Sequence, residues 1–121
     1  MTLQEFFEET GGNYDEVMRR MRKEERVRKF AGMFLRDDSY RLLNEAMESG
    51  NCEDAFRAAH TLKGVCANLS FTRLLDSVSA VTEELRGGRD FDKARLYMSR
   101  LNADYALIEK KIKELTSEAG A

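Results

Sequence analysis

The sequence predicts an all-α protein: an antiparallel up-down four-helix bundle preceded by one or two short N-terminal helices. Three observations predict it. The 121 residues contain no proline, so no segment is barred from a helix interior. Apolar residues recur at spacings of three and four along almost the whole chain, which is the period of one helix face. Glycines at 11–12, 50 and 87–88 fall between these runs, where helices stop.

The elements follow in order. Thr2 is the candidate N-cap of a short helix with Leu3, Phe6 and Phe7 inside, ending at Gly11 and Gly12. A second run over about 15–34 carries Val17, Met18, Met21, Val27, Phe30, Met33 and Phe34, with a break near Lys23. Asp38 or Ser39 caps the next helix, which carries Leu42, Leu43, Ala46 and Met47 and stops at Gly50. Asn51 caps the helix after it, whose first turn holds Glu53 and Asp54, acidic groups that suit the positive end of the helix dipole. Ser70 is placed as N-cap of a helix starting at Phe71, with Leu74, Leu75, Val78, Val81, Thr82 and Leu85 on one side and Gly87-Gly88 as its end. Asp90 caps the last and longest helix.

In that helix Ala94, Met98, Leu101, Tyr105, Ile108, Ile112 and Leu115 are spaced 4, 3, 4, 3, 4, 3. This is a heptad seam. The final helix of an antiparallel bundle needs the same repeat, and the other helices need a partner for their own stripes, so the seam is expected inside a monomer. No repeat, low-complexity tract or long linker divides the chain. One domain over 1–121 is expected, with 1–21 as an N-terminal helical extension and the bundle over about 25–118.

Composition removes several function classes. A net charge of −2 gives no electrostatic case for nucleic acid. No apolar run approaches the ~20 residues needed to span a bilayer, so no membrane partner is expected. The N-terminus, Met1-Thr2-Leu3-Gln4-Glu5, lacks the basic and apolar regions of a secretory signal. Two cysteines, Cys52 and Cys66, suit reduced thiols, and the expected location is the cytoplasm.

The chemistry centres on the one histidine, His60. At about 100° per residue, Ala55, Ala58, Ala59, Leu62, Val65, Cys66 and Leu69 share one apolar side of its helix. His60 falls on the opposite side, with Lys63, Gly64 and Ala67 around it. An imidazole in water is half neutral near pH ~6.5, so such a ring offers a nucleophilic nitrogen. Lys63, at i+3, is placed to set an ammonium beside an anion on that ring. Gly64, at i+4, is costly mid-helix, by roughly 0.5–1 kcal/mol against alanine, and removes the side chain next to the imidazole. A bare nucleophile, a cation and an open approach suit the active site of another protein.

The stretch His60-Thr61-Leu62-Lys63-Gly64, followed by Ala67-Asn68-Leu69, resembles the signature of histidine-containing phosphotransfer (HPt) domains. The upstream run Phe34-Leu35-Arg36-Asp37 and the Leu43, Ala46, Gly50 spacing extend the likeness, although the family usually has glycine where Ser70 stands. The resemblance implies that His60 is phosphorylated by the aspartyl phosphate of a receiver domain and passes the group to another receiver. It implies that Lys63 steadies the phosphoryl oxygens and that Gly64 admits the partner. Receiver domains of response regulators or hybrid histidine kinases are the implied partners. Docking is expected over Phe56, Arg57, Ala67 and Asn68. Phe56, at i−4, lies on the His60 side; burial against the N-terminal helices is the competing expectation for it.

Other constellations are weaker. The basic segment Arg19, Arg20, Arg22, Lys23, Arg26, Arg28 and Lys29 is expected as a solvated helix face, ahead of a docking rim. Cys52, His60 and Cys66 lack ligand-pair spacing, so no metal is expected. No Ser/His/Asp or Cys/His set can be assembled, and no Gly-rich loop or Walker lysine offers an ATP site. The chain is therefore expected to be a phosphocarrier without cofactor, neither a kinase nor another enzyme. The alternative is a non-catalytic helical module that binds or sequesters a receiver domain.

Overall fold

A computed structural model of the chain describes residues 1–120, with side-chain surroundings through Ser117. The described residues form seven α-helices: α1 (Leu3–Thr10), α2 (Tyr14–Met21), α3 (Glu24–Phe34), α4 (Ser39–Ser49), α5 (Cys52–Asn68), α6 (Thr72–Leu85) and α7 (Phe91–Gly120), with a 3-10 turn at Arg86–Gly88. The fold is all-α, and its centre is a bundle of α4 to α7. α4 packs on α5, α5 on α6 and α6 on α7. Two, three and five residues join these pairs, so each helix runs antiparallel to the last. α4 and α7 meet through Tyr40 and Tyr105, whose rings stack at 3.6 Å, while the Tyr40 hydroxyl donates to Asn102 Oδ1 at 2.7 Å. α1 and α2 are the short N-terminal helices; α1 and α3 both pack on α7.

Most boundaries follow local chemistry. Thr2 and Glu5 form a reciprocal capping box at α1. Asn51 Oδ1 accepts from the Asp54 amide at α5, and Asp90 Oδ1 from the Lys93 amide at α7. Gly11, Gly50, Gly87 and Gly88 take left-handed backbone at helix ends. The break near Lys23 is made by Arg22, also left-handed, at φ 70°. At α4 the capping acceptor is Asp37, whose Oδ1 accepts from the Ser39 amide at 2.9 Å and from the Ser39 hydroxyl; Asp38 makes no such bond.

Ser70 departs from expectation. It is not an N-cap: Phe71 holds that position without a side-chain bond, and α6 begins at Thr72. Ser70 instead takes φ 56°, the left-handed conformation that glycine adopts without strain. That residue reverses the chain and sends Phe71 inward, where it is fully buried against Phe6, Phe7 and Phe34.

One apolar core runs from Leu3 to Leu115 and takes in the whole heptad seam of α7. Asp104 is buried beside that seam at 4 % exposure, accepting from Ser77 Oγ and paired with Arg73 Nε at 3.1 Å. Three apolar side chains of the periodic runs lie outside the core: Phe30, Met33 and Leu42 are 37, 48 and 46 % exposed. Each is followed by a neighbour on the inner side, Ala31, Phe34 or Leu43, which is buried in its place. No described helix is long and apolar enough to cross a membrane.

Candidate functional site

Helix α5 carries the candidate residues, and its two faces are chemically distinct. Ala55, Ala58, Ala59, Leu62 and Cys66 are buried between α4 and α6, the alanines letting those helices come close. Val65 is only half-buried. Burial pushes the Cys66 thiol up to about 12, so it stays protonated as a packing group. Cys52, half-buried at the start of α5, lies 3.5 Å from the Leu85 carbonyl.

On the other face His60, Gly64, Ala67 and Asn68 are exposed, and Lys63 is half-buried. His60 has no hydrogen bond or ion pair among the described residues; its ring contact is Phe56, with centroids 6.0 Å apart and planes inclined by 24°. Phe56 is half-buried and packs against the core. The Arg86 guanidinium, from the turn after α6, lies 5.2 Å from its ring centre and is itself 3.0 Å from Glu83. Lys63 has no ion-pair partner among the described residues. Arg57 is committed to its own helix, at 3.0 Å from Asp54 and 3.5 Å from Glu53.

Gly64 is the most informative position. Beyond its chain neighbours and the backbone of its own helix, a Cβ built there would meet no atom within 4 Å, so packing inside this chain does not require glycine. The expected residues thus share one strip, with His60, Gly64 and Ala67 along its middle and Asn68 at its C-terminal end.

Sequence reasoning missed two contributors. Phe30 and Met33 of α3 stand beside Val65 and Asn68, where with Phe34, Asp37 and Leu69 they line a hollow of about 200 Å³. A larger groove, about 720 Å³, opens between α4 and α5 beside Arg57 and Thr61, with exposed Leu42 among its lining residues. Arg86 was the other omission. Its place before Gly87-Gly88 marks a turn, but nothing local reveals that the turn meets Phe56.

What this arrangement can do is limited in kind. Among the described residues no group of three or more His, Cys, Asp or Glu side chains is placed to hold a metal ion. The strip offers an unencumbered imidazole, a cation one turn along, and room above both. Comparison with protein families finds the Hpt domain over residues 35–117, more than half of the chain, spanning α4 to α6, most of α7 and all of the strip on α5. No curated protein and no solved structure shows significant similarity to the chain. With that match spanning the bundle and its exposed histidine, the chain belongs to the Hpt domain family, whose members carry phosphoryl groups on histidine in phosphorelays.

Proposed function

We propose that this chain is a phosphocarrier that takes a phosphoryl group onto His60 from a receiver-domain aspartate and yields it to a second receiver. A neutral ring nitrogen of His60 attacks the phosphorus of the aspartyl phosphate in line. The N–P bond forms as the acyl O–P bond breaks, the aspartate leaves as a carboxylate, and the other ring nitrogen keeps its proton. Transfer to the next receiver reverses these steps on a new carboxylate. Positioning and charge stabilisation carry most of phosphoryl transfer, so a nucleophile, a cation and a fitted surface are sufficient on this side.

The observation that carries this reading is the empty space over Gly64. A mid-helix glycine with nothing above it has a cost within this chain and no return there; an approaching partner supplies the reason. Lys63, without an ion-pair partner among the described residues, supports a role at the phosphoryl oxygens. Ala67 and Asn68 extend the strip, and Phe56 and Arg57 border it, as a docking surface. The exposed Phe30 and Met33 beside Asn68 add apolar area to that surface. This chain's own phosphorelay partners are receiver domains, and it transfers the group without a nucleotide or cofactor of its own.

The test is transfer from a receiver domain charged chemically with phosphate. The parent is expected to gain an acid-labile, alkali-stable label, and His60→Ala none. Lys63→Ala is expected to slow transfer or shorten the life of the phosphohistidine by about tenfold with the fold intact. A chain that binds a receiver domain but takes no label from it, with His60→Ala binding as tightly, would establish the binding-only alternative.

A further inference from the structure

The family match begins at residue 35, yet the segment before it is fastened to the turn that ends the candidate helix. α5 closes without a basic residue in its last turn and without a glycine at its end. The amides of Leu69, Ser70 and Phe71 bond back to the Val65, Ala67 and Cys66 carbonyls, which leaves the Asn68 carbonyl for a donor from elsewhere. Arg20, on α2, supplies one: its Nη1 donates to the Asn68 carbonyl at 2.7 Å and to Ser70 Oγ at 3.1 Å. Ser70 Oγ in turn donates to Glu16 Oε1 at 2.6 Å, and Glu16 pairs with Arg20 at 3.6 Å. The backbone joins in as well. The Asn13 amide donates to the Ser70 carbonyl at 2.9 Å, and the Arg73 amide to the Gly11 carbonyl at 3.1 Å. At Gly12 a Cβ would stand 2.9 Å from the Ser70 carbonyl and 2.5 Å from the Phe7 ring, so only glycine lets the two backbones meet.

Three of these bonds, from Arg20, to Glu16 and from the Asn13 amide, fall on Ser70 itself, a residue in left-handed backbone. Left-handed backbone costs a serine roughly 1–2 kcal/mol, a cost that glycine escapes. What serine adds is the hydroxyl, and here that hydroxyl is held by both Arg20 and Glu16. The serine, the arginine and the glutamate explain one another.

We propose that Arg20 and Glu16 are positioning residues: by gripping Asn68 and Ser70 they set the last turn of α5, and with it the part of the docking surface formed by Ala67 and Asn68. This rests on the reading of that surface as the receiver-domain interface. The N-terminal segment is then part of the interface's framework, although its own side chains in the clamp face the turn and not the strip. Because Asn68 is two turns from His60, a loosened turn weakens docking while the chemistry of the docked complex is unchanged.

The experiment uses the full chain and a receiver domain that binds it. Two quantities are read in Arg20→Ala, Arg20→Lys and Glu16→Ala: hydrogen exchange of the Ser70 and Phe71 amides, and the Kd for the receiver. Arg20→Ala is expected to speed exchange and raise Kd by about fivefold each, the scale of one partly exposed charge-assisted hydrogen bond. The rate of transfer at saturating receiver is expected to stay within about twofold of the parent. Arg20→Lys keeps a donor for the Asn68 carbonyl and is expected to recover part of both losses. Glu16→Ala, which leaves the arginine in place, is expected to show a smaller loss of the same kind. Parental exchange in Arg20→Ala, or fast exchange with a parental Kd, overturns the proposal. If the parent binds but takes no label, the phosphocarrier reading fails, and the exchange and Kd arms still decide this one.

Discussion

A methyl group added at Gly64 would touch nothing beyond its own helix, whereas one added at Gly12 would collide with a ring and a carbonyl. The same residue type is thus required by packing at Gly12 and not at Gly64, where the proposed function assigns the space to a partner. Gly64→Gln separates the two. Removing a mid-helix glycine is expected to raise stability by about 0.5–1 kcal/mol in thermal or denaturant unfolding. Transfer from a receiver domain is expected to fall by about tenfold or more, because the new side chain stands where the partner approaches. Parental transfer by this variant would show that the open space has no role in docking. The thiols make a second contrast. Cys66 is buried, with its thiol pushed up to about 12, while Cys52 is half-buried at a helix start. A mild thiol reagent at pH ~8 is expected to modify Cys52 alone in the folded chain and both residues after unfolding. Rapid modification of Cys66 in native protein would mean that α5 opens far more readily than its packing implies.

At the scale of elements, the helices were legible where the deciding chemistry was local. Thr2, Asn51 and Asp90 cap as their sequence positions suggest, and Gly11, Gly50 and the Gly87-Gly88 pair stop helices through left-handed backbone. The face of α5 that carries His60 was legible too, because a period of 3.6 fixes which residues oppose which. What failed depended on distant partners. Ser70 reads as a cap by type, but Arg20 and Glu16, about fifty residues upstream, hold it in a left-handed turn instead. Phe30, Met33 and Leu42 fit an apolar stripe by spacing, yet the stripe was wider than the core that covers it. The Ser70 turn carries a pH dependence of known sign. The Ser70 hydroxyl, with Arg20 beside it, holds the Glu16 carboxyl below its usual 4.5 in the folded chain. A carboxyl depressed on folding contributes stability above the unfolded value and loses it as pH falls through the folded one. The melting temperature of the parent is therefore expected to exceed that of Glu16→Gln above pH 4.5, with the gap closing on further acidification. A gap that stayed constant through that range would mean that the carboxylate charge does not hold the turn.

At the scale of the whole molecule, the question left by the sequence was where the heptad seam of α7 spends its apolar surface. The structure places all seven seam residues, Ala94 to Leu115, within one core, none more than 7 % exposed. α6 covers α7 along one side, α1 and α3 pack on it as well, and Lys111 reaches Glu9 of α1 at 3.0 Å. The N-terminal helices therefore close the side of the bundle that a second copy would otherwise need to cover. The one large apolar side chain that α7 leaves exposed among the described residues is Leu96, at 75 %. A stable dimer buries on the order of 800 Å² per partner around an apolar centre, far more than a single leucine offers. The other exposed apolar residues, Phe30, Met33 and Leu42, belong to α3 and α4 and not to the α7 seam, and on the proposed docking surface Phe30 and Met33 would be covered by a receiver domain. The chain is accordingly expected to sediment as a 13.9 kDa monomer across micromolar concentrations, and to add one receiver domain per chain when its partner is supplied. Sedimentation at twice that mass, abolished by a charge at Met33 but not at Leu96, would place self-association on the proposed docking surface, in competition with the receiver.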